Sequence, residues 1–170
     1  TFAPDGTLYA GSNDTNKLYT VDIDNLSFTE VGPNASGVDM NGADLAFDNL
    51  GNLYLYTNAG GGDLYELAPA TGKASQVGDS GASMTGLGVL DAGAGKLLGS
   101  KTSSNEFVEI DKDNGSIGTA YTLTGDLTSH TFGDLTVGQL ADSTTFELCA
   151  GQDTNVGTVT VTDTTDAVTV

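Results

Sequence analysis

The 170-residue chain has no arginine and no tryptophan, one cysteine, one histidine and three prolines. Each shortage removes a class of function. With five lysines against 23 carboxylates the formal charge at pH 7 is −18. A chain so acidic offers no cationic surface to a phosphate backbone or an anionic bilayer, so neither nucleic acid nor membrane insertion is expected. Cys149 on its own makes neither an internal disulfide nor a thiolate metal cluster, and its apolar neighbours read as those of a small buried hydrophobe. His130 on its own excludes a multi-histidine zinc or iron site and leaves few candidates for a general base. No apolar run approaches the roughly 18 residues of a membrane span, and helical periodicity is missing throughout. Neither a Gly-x-Ser-x-Gly elbow nor a phosphate-binding glycine loop occurs. The opening Thr1-Phe-Ala-Pro-Asp-Gly is neither a signal peptide nor an initiator, and the chain is expected to start within a longer pattern.

What remains is a foldable, glycine-rich chain of about one domain, with 38% apolar residues and 24 glycines. It repeats itself. Phe2-Ala-Pro-Asp-Gly-Thr-Leu-Tyr-Ala-Gly lines up with Phe47-Asp-Asn-Leu-Gly-Asn-Leu-Tyr-Leu-Tyr at an offset of 45, and more weakly with Leu90-Asp-Ala-Gly-Ala-Gly-Lys-Leu-Leu-Gly. Downstream of each copy a second apolar run recurs: Leu18-Tyr-Thr-Val-Asp-Ile, Leu64-Tyr-Glu-Leu and Phe107-Val-Glu-Ile. The first two units close alike, on Val31-Gly32 and Val77-Gly78. A fourth, degenerate copy is marked by Gly133-Asp-Leu-Thr-Val, Thr145-Phe-Glu-Leu-Cys and Gly157-Thr-Val-Thr-Val.

Each unit holds about four short β-like runs joined by turn chemistry. Pro4-Asp-Gly, Asn49-Leu-Gly-Asn and Ala92-Gly-Ala-Gly link the first run to the second. Asp24-Asn-Leu-Ser, Pro69-Ala-Thr-Gly, Asp113-Asn-Gly and Asp163-Thr-Thr-Asp link the third to the fourth. Leu53-Tyr-Leu-Tyr is apolar at every position, as a strand covered on both faces must be. Tyr19, Val21 and Ile23 alternate with Thr20 and Asp22, and the fourth runs, around Phe28 and Ala74-Ser-Gln-Val, are thinner still. Repeated four-run units of about 44 residues with burial falling outward predict an all-β chain folded as a β-propeller. About four blades of four antiparallel strands are expected, near 1–40, 41–84, 85–130 and 131–170, the first lacking its innermost strand.

The motifs Phe-x-Pro-Asp-Gly-x-Leu-Tyr, Leu-Tyr-x-Val-Asp and Thr-x-Val-Gly resemble the propeller repeats of secreted or surface bacterial proteins of undefined function, with NHL-like and YVTN-like architecture. The resemblance covers residues 2 to about 140. It implies an architecture and a secreted or cell-surface setting, and it carries no catalytic motif. Its missing strand implies either a longer chain or an open blade edge that recruits another chain, a second copy included.

In a propeller the loops leading into the innermost strands and those between the second and third runs gather at one end of the channel. Here the first set is 36–44, 83–86 and 129–134, and the second is 12–16, 58–63, 101–105 and 151–155, all rich in Asp, Asn, Ser and Thr. Asp39, Asn41 and His130 are the expected ligand-binding rim. Asp44 and Asp134 occupy matching positions at the start of innermost strands, where converging carboxylates either recruit calcium, which takes six to eight oxygens, or cap strand ends by bonding backbone amides. Leu87 is read as the third blade's counterpart. Asp22-Ile-Asp24 and Asp111-Lys-Asp113-Asn-Gly match neither the spacing nor the terminal glutamate of an EF-hand, and turn chemistry accounts for them. Two functions stay open. One is a noncatalytic extracellular module for adhesion, assembly or ligand binding, stabilised by calcium; the other is a calcium-dependent, lactonase-like hydrolase at the channel. An enzyme should gather acidic and amide groups from several blades, and only two share the aspartate.

Overall fold

A computed structural model describes residues 1–32, 37–91, 95–102, 104–124, 135–140, 143–147 and 158–161. Among the described residues fourteen strands form four antiparallel sheets. The first holds β1 (Leu8–Ser12), β2 (Lys17–Asp22) and β3 (Ser27–Glu30). The second holds β4 (Asp44–Phe47), β5 (Leu53–Thr57), β6 (Asp63–Leu67) and β7 (Ala74–Asp79). The third holds β8 (Met84–Asp91), β9 (Lys96–Lys101), β10 (Glu106–Asp111) and β11 (Ile117–Thr122). The last holds β12 (Thr136–Leu140), β13 (Ser143–Glu147) and β14 (Thr158–Val161). Among the described residues the only helical piece is a 3₁₀ turn at Ala59–Gly61. Each sheet is a plain meander in which sequence neighbours pair, and β1, β4, β8 and β12 lie side by side as the inner strands or inner edge.

Burial falls outward as the residue pattern requires. All five residues of β5 are buried, β6 alternates, and β3 is exposed along its length. Among the described residues two cores lie between adjacent sheets. Leu18 of the first sheet meets Leu53, Leu55 and Leu67 of the second, with Val38 and Met40 at the junction. Tyr54, Tyr56 and Leu64, on the other face of the second sheet, meet Met84, Leu87, Leu97, Val108 and Ile110 of the third. A strand buried on both faces, such as β5, therefore serves two cores at once, which is why it shows no polar alternation.

The registers superimpose across the sheets. The cross-strand row Phe47, Leu53, Leu67, Ala74 in the second sheet corresponds to Val89, Leu97, Ile110, Ile117 in the third. Leu53 and Leu97 are both fully buried, whereas their counterpart Leu8 is half-buried. The side chain of Phe146 lies outside the described set, although Val137 pairs with Phe146 as Phe47 pairs with Leu53.

The first blade needs one correction. Where no innermost strand was expected, Thr1 and Tyr9 exchange backbone hydrogen bonds and Phe2 bridges Leu8, in the register of Ala46 and Phe47 against Tyr54 and Leu53. Pro4-Asp5-Gly6 closes that hairpin with Gly6 at positive φ, while Ala10, Gly11 and Ser12 of β1 extend beyond Thr1.

The repeated Val-Gly pair also acquires a reason. A side chain on Gly78 would run into the backbone carbonyl of Asn114, and one on Gly32 into that of Thr71. Asn114 and Thr71 lie in the turns between the third and fourth strands of the following sheet. Glycine at the end of an outer strand lets the next blade's turn reach the backbone.

Candidate functional site

The strand-end loops of the second sheet are fastened by its own buried residues. Thr57, at the end of β5, donates its hydroxyl to the carbonyl of Asp39 at 2.6 Å and, more weakly, to that of Asn41 at 3.4 Å. The Asp39 carboxylate accepts the amide of Asn41 at 2.9 Å. Both rim residues are exposed, so the loop presents an acid and an amide on a braced backbone. His130 lies outside the described residues, as does Asp134.

Asp44 is half-buried at the start of β4, and its carboxylate reaches across to the next sheet. One oxygen accepts the amide of Leu45 at 2.8 Å and the other accepts the amide of Leu87, in β8, at 2.6 Å. Charge-assisted bonds of this kind tie one blade's inner strand to its neighbour's. The register also corrects the third blade's counterpart. Asp44 pairs with Tyr56, and the matching strand position, Ser100, faces Gly86 rather than Leu87. A bulge between Val89 and Asp91 makes Val89 rather than Leu90 the counterpart of Phe47 and so displaces the alignment by one residue.

Asparagines between the second and third strands make the next set of ties, which the sequence reading left unassigned. Asn58 accepts the amide of Met84 at 2.8 Å and donates to the carbonyls of Met84 at 2.7 Å and Gly42 at 3.1 Å. Asn16 accepts the amide of Met40 at 2.9 Å. Met40 lies in the segment ahead of β4 and Met84 at the start of β8, so in the first and second blades an asparagine clamps the segment that leads into the next inner strand. The signal was present in the recurrence of asparagine in loops 12–16, 58–63 and 101–105. What hid it was the partner, a backbone group of the following blade.

Farther out, Tyr56 sits fully buried with its hydroxyl between Ser80 and the carbonyl of Ala82, and burial pushes the phenol pKa up. In the third sheet Glu109 is buried against a hydrogen bond from Tyr121 at 2.6 Å and an ion pair with Lys96 at 2.9 Å. Burial alone would raise this carboxyl, but Tyr121 and Lys96 together hold it below the usual range, while burial and the adjacent Glu109 push Tyr121 up to about 12. These groups are satisfied structural pairs. Among the described residues no group of three His, Cys, Asp or Glu gathers as a metal site, and no helix is long and apolar enough to cross a membrane.

No protein-family model matches the chain, and no curated protein matches it. Solved structures do. The chain is similar to hydrazine synthase of Kuenenia stuttgartiensis, with a TM-score of 0.62 at 14% identity over 95% of this chain and 44% of that one. It is similar to regucalcin of Agrobacterium tumefaciens, described as a calcium-binding protein, with a TM-score of 0.56 at 18% identity over 90% of this chain and 53% of that one. The WD40 repeats of RRP9 match with a TM-score of 0.53 at 11% identity, over 95% and 49% of the two chains. The chain thus spans about half the length of the structures it matches, and what they share with it is the β-propeller fold.

Proposed function

We propose that the chain is a noncatalytic propeller module that works outside the cytoplasm, presenting a rigid acidic rim for adhesion, assembly or ligand binding. The observation that carries this reading is the use made of the polar residues at the strand ends. Asp44, Asn58, Asn16 and Thr57 are all engaged with backbone groups of their own or the next blade. A rim built this way holds its exposed residues still, which lowers the ordering cost of binding. The charge of −18 and the scarcity of lysine fit a setting where solubility and repulsion of nonspecific anionic partners matter.

Calcium belongs to this proposal through Asp44 and Asp134. Both oxygens of Asp44 already accept amides, so this residue on its own does not make a calcium cage. The test is a pair of measurements on the 170-residue protein. Melting curves in calcium and in chelator, at matched ionic strength, should separate if the folded state binds the ion, and coincident curves remove calcium from the reading. Turnover of simple lactones that disappears with chelator would overturn the noncatalytic reading in favour of a channel hydrolase.

A further inference from the structure

Two asparagine–glycine pairs occur in the chain, Asn41-Gly42 and Asn114-Gly115. Such a pair is chemically labile, because glycine has no Cβ to shield its backbone nitrogen from the side-chain amide that precedes it. The residue pair by itself gives both the same standing. Their surroundings separate them.

Asn114-Gly115 is locked at each group that would have to move. The Asn114 side chain donates to the Asp111 carboxylate at 3.1 Å and accepts the Ser116 amide at 2.8 Å. The Gly115 N–H donates to the Asp111 carbonyl at 2.7 Å. Gly115 is buried, and the Asn114 carbonyl abuts Gly78 of the preceding blade.

Asn41-Gly42 is the reverse. Both residues are exposed. Among the described residues neither the Asn41 side-chain amide nor the Gly42 N–H has a hydrogen-bond partner. The turn is braced on either side of them: the Asn41 N–H bonds the Asp39 carboxylate at 2.9 Å, the Met40 carbonyl accepts the Ala43 amide at 3.1 Å, and Asn58 holds the Gly42 carbonyl at 3.1 Å. The peptide plane between those braces is held only by the 3.4 Å contact from the Thr57 hydroxyl to the Asn41 carbonyl. Its nitrogen is the one that has to swing onto the Asn41 side chain. The fold also requires the glycine, since Gly42 sits at φ 62° and a Cβ there would stand 2.9 Å from the Asn58 side-chain nitrogen.

We propose that Asn41 is a site of self-modification, an asparagine that the folded rim leaves free to deamidate. The Gly42 nitrogen attacks Cγ of Asn41, its proton passes to the departing side-chain nitrogen, the Cγ–Nδ2 bond breaks, and ammonia leaves a succinimide behind. Water then opens the ring at one of its two carbonyls, giving aspartate or isoaspartate. Either product places a second carboxylate beside Asp39. The isoaspartyl product also lengthens the main chain by one methylene between Met40, held by Asn16, and Gly42, held by Asn58, so it strains the inter-blade clamp and the aspartyl product does not. None of this depends on what the rim binds.

The test is peptide mapping of the protein during incubation at mildly alkaline pH, by mass spectrometry that distinguishes amide, aspartate and isoaspartate at each position. Folded protein and protein in denaturing urea are followed side by side, so that each asparagine has its own unfolded rate as reference. The fold should slow Asn114 at least tenfold more than it slows Asn41, and conversion of Asn41 should quicken as pH rises, because the attacking nitrogen has to lose its proton. Equal protection of the two overturns the inference, as does an Asn41 that stays intact in the folded protein while it converts in urea. Asn41→Asp installs one product directly and should melt within about 2 °C of the parent, as a substitution at an unpartnered surface group does. A larger loss would show that the amide is engaged and would overturn the basis of the assignment.

Discussion

Replacing Asn58 by aspartate exchanges one heavy atom, the amide nitrogen for an oxygen, and tests the inter-blade clamp directly. The asparagine amide donates to the carbonyls of Met84 and Gly42 at 2.7 and 3.1 Å, and its oxygen accepts the Met84 amide at 2.8 Å. In Asn58→Asp the accepting bond survives, whereas both donating bonds become contacts between a carboxylate and a carbonyl oxygen. Two lost bonds at about 0.5–1.5 kcal/mol each, with an unsatisfied carbonyl and a half-buried charge added, give a loss of about 2–4 kcal/mol. For a chain of this size that lowers the melting temperature by roughly 5–15 °C. The sign of its pH dependence is set by the same geometry. Two facing carbonyls raise the new carboxyl above its unfolded value of about 3.9. The folded state therefore binds its proton more tightly, and the deficit is smallest below pH 4 and grows as pH rises through the folded pKa. Asn58→Ala, which loses the bonds without adding a charge, should be milder than Asn58→Asp at pH 7 and should lack that pH dependence. Thermal unfolding of the three proteins from pH 3.5 to 8 decides the matter. An aspartate variant that melts within 2 °C of the parent at pH 7 would show that the clamp does not hold the blades.

Four further outcomes are expected. Gly78→Ala should cost about 2–3 kcal/mol in denaturant unfolding, because the Asn114 backbone has to give way, whereas Gly51→Ala, at φ 89° with nothing near its Cβ, should cost only about 1 kcal/mol of left-handed strain; equal losses would refute the close-approach reading. Glu109 is held below its usual 4.5, so its contribution is present above that pH and is lost as pH falls through the lower folded value, and Glu109→Gln should flatten the acid limb of the stability curve. Tyr54 and Tyr121, pushed up to about 12 chiefly by burial, contribute stability that is full below pH 10 and lost between 10 and 12, and ultraviolet titration of the native protein should show phenols ionising well above 10. Leu53→Ala should cost about 2–5 kcal/mol and Leu8→Ala distinctly less, since Leu8 is half-buried; equal costs would mean that the first blade's face is covered in solution.

The strands and their nesting were legible in the chain because they depend on short-range chemistry. Glycine and aspartate punctuate the turns, and the continuous apolar run Leu53-Tyr-Leu-Tyr announces a strand covered on both sides. A repeat of about 44 residues carries the same pattern from blade to blade, although the inner pairing of Thr1 and Phe2 with Tyr9 and Leu8 was not read from the match of Phe2 to Phe47. The destination of each polar side chain was not legible. Asp44 looks the same in sequence whether it meets an ion or the amide of Leu87, and those residues are 43 apart. Asn58 and Met84 meet only after two sheets have stacked, and a bulge at β8 put Gly86 where the alignment put Leu87. The Val-Gly repeat could be seen but not explained until the neighbouring turn was in place. Local pattern determines which residues become strands, because period and turn type act within a few residues. Which strand ends converge, which carboxylate is consumed by a neighbouring backbone, and which apolar row is left uncovered depend on how blades stack, and only the tertiary structure decides that.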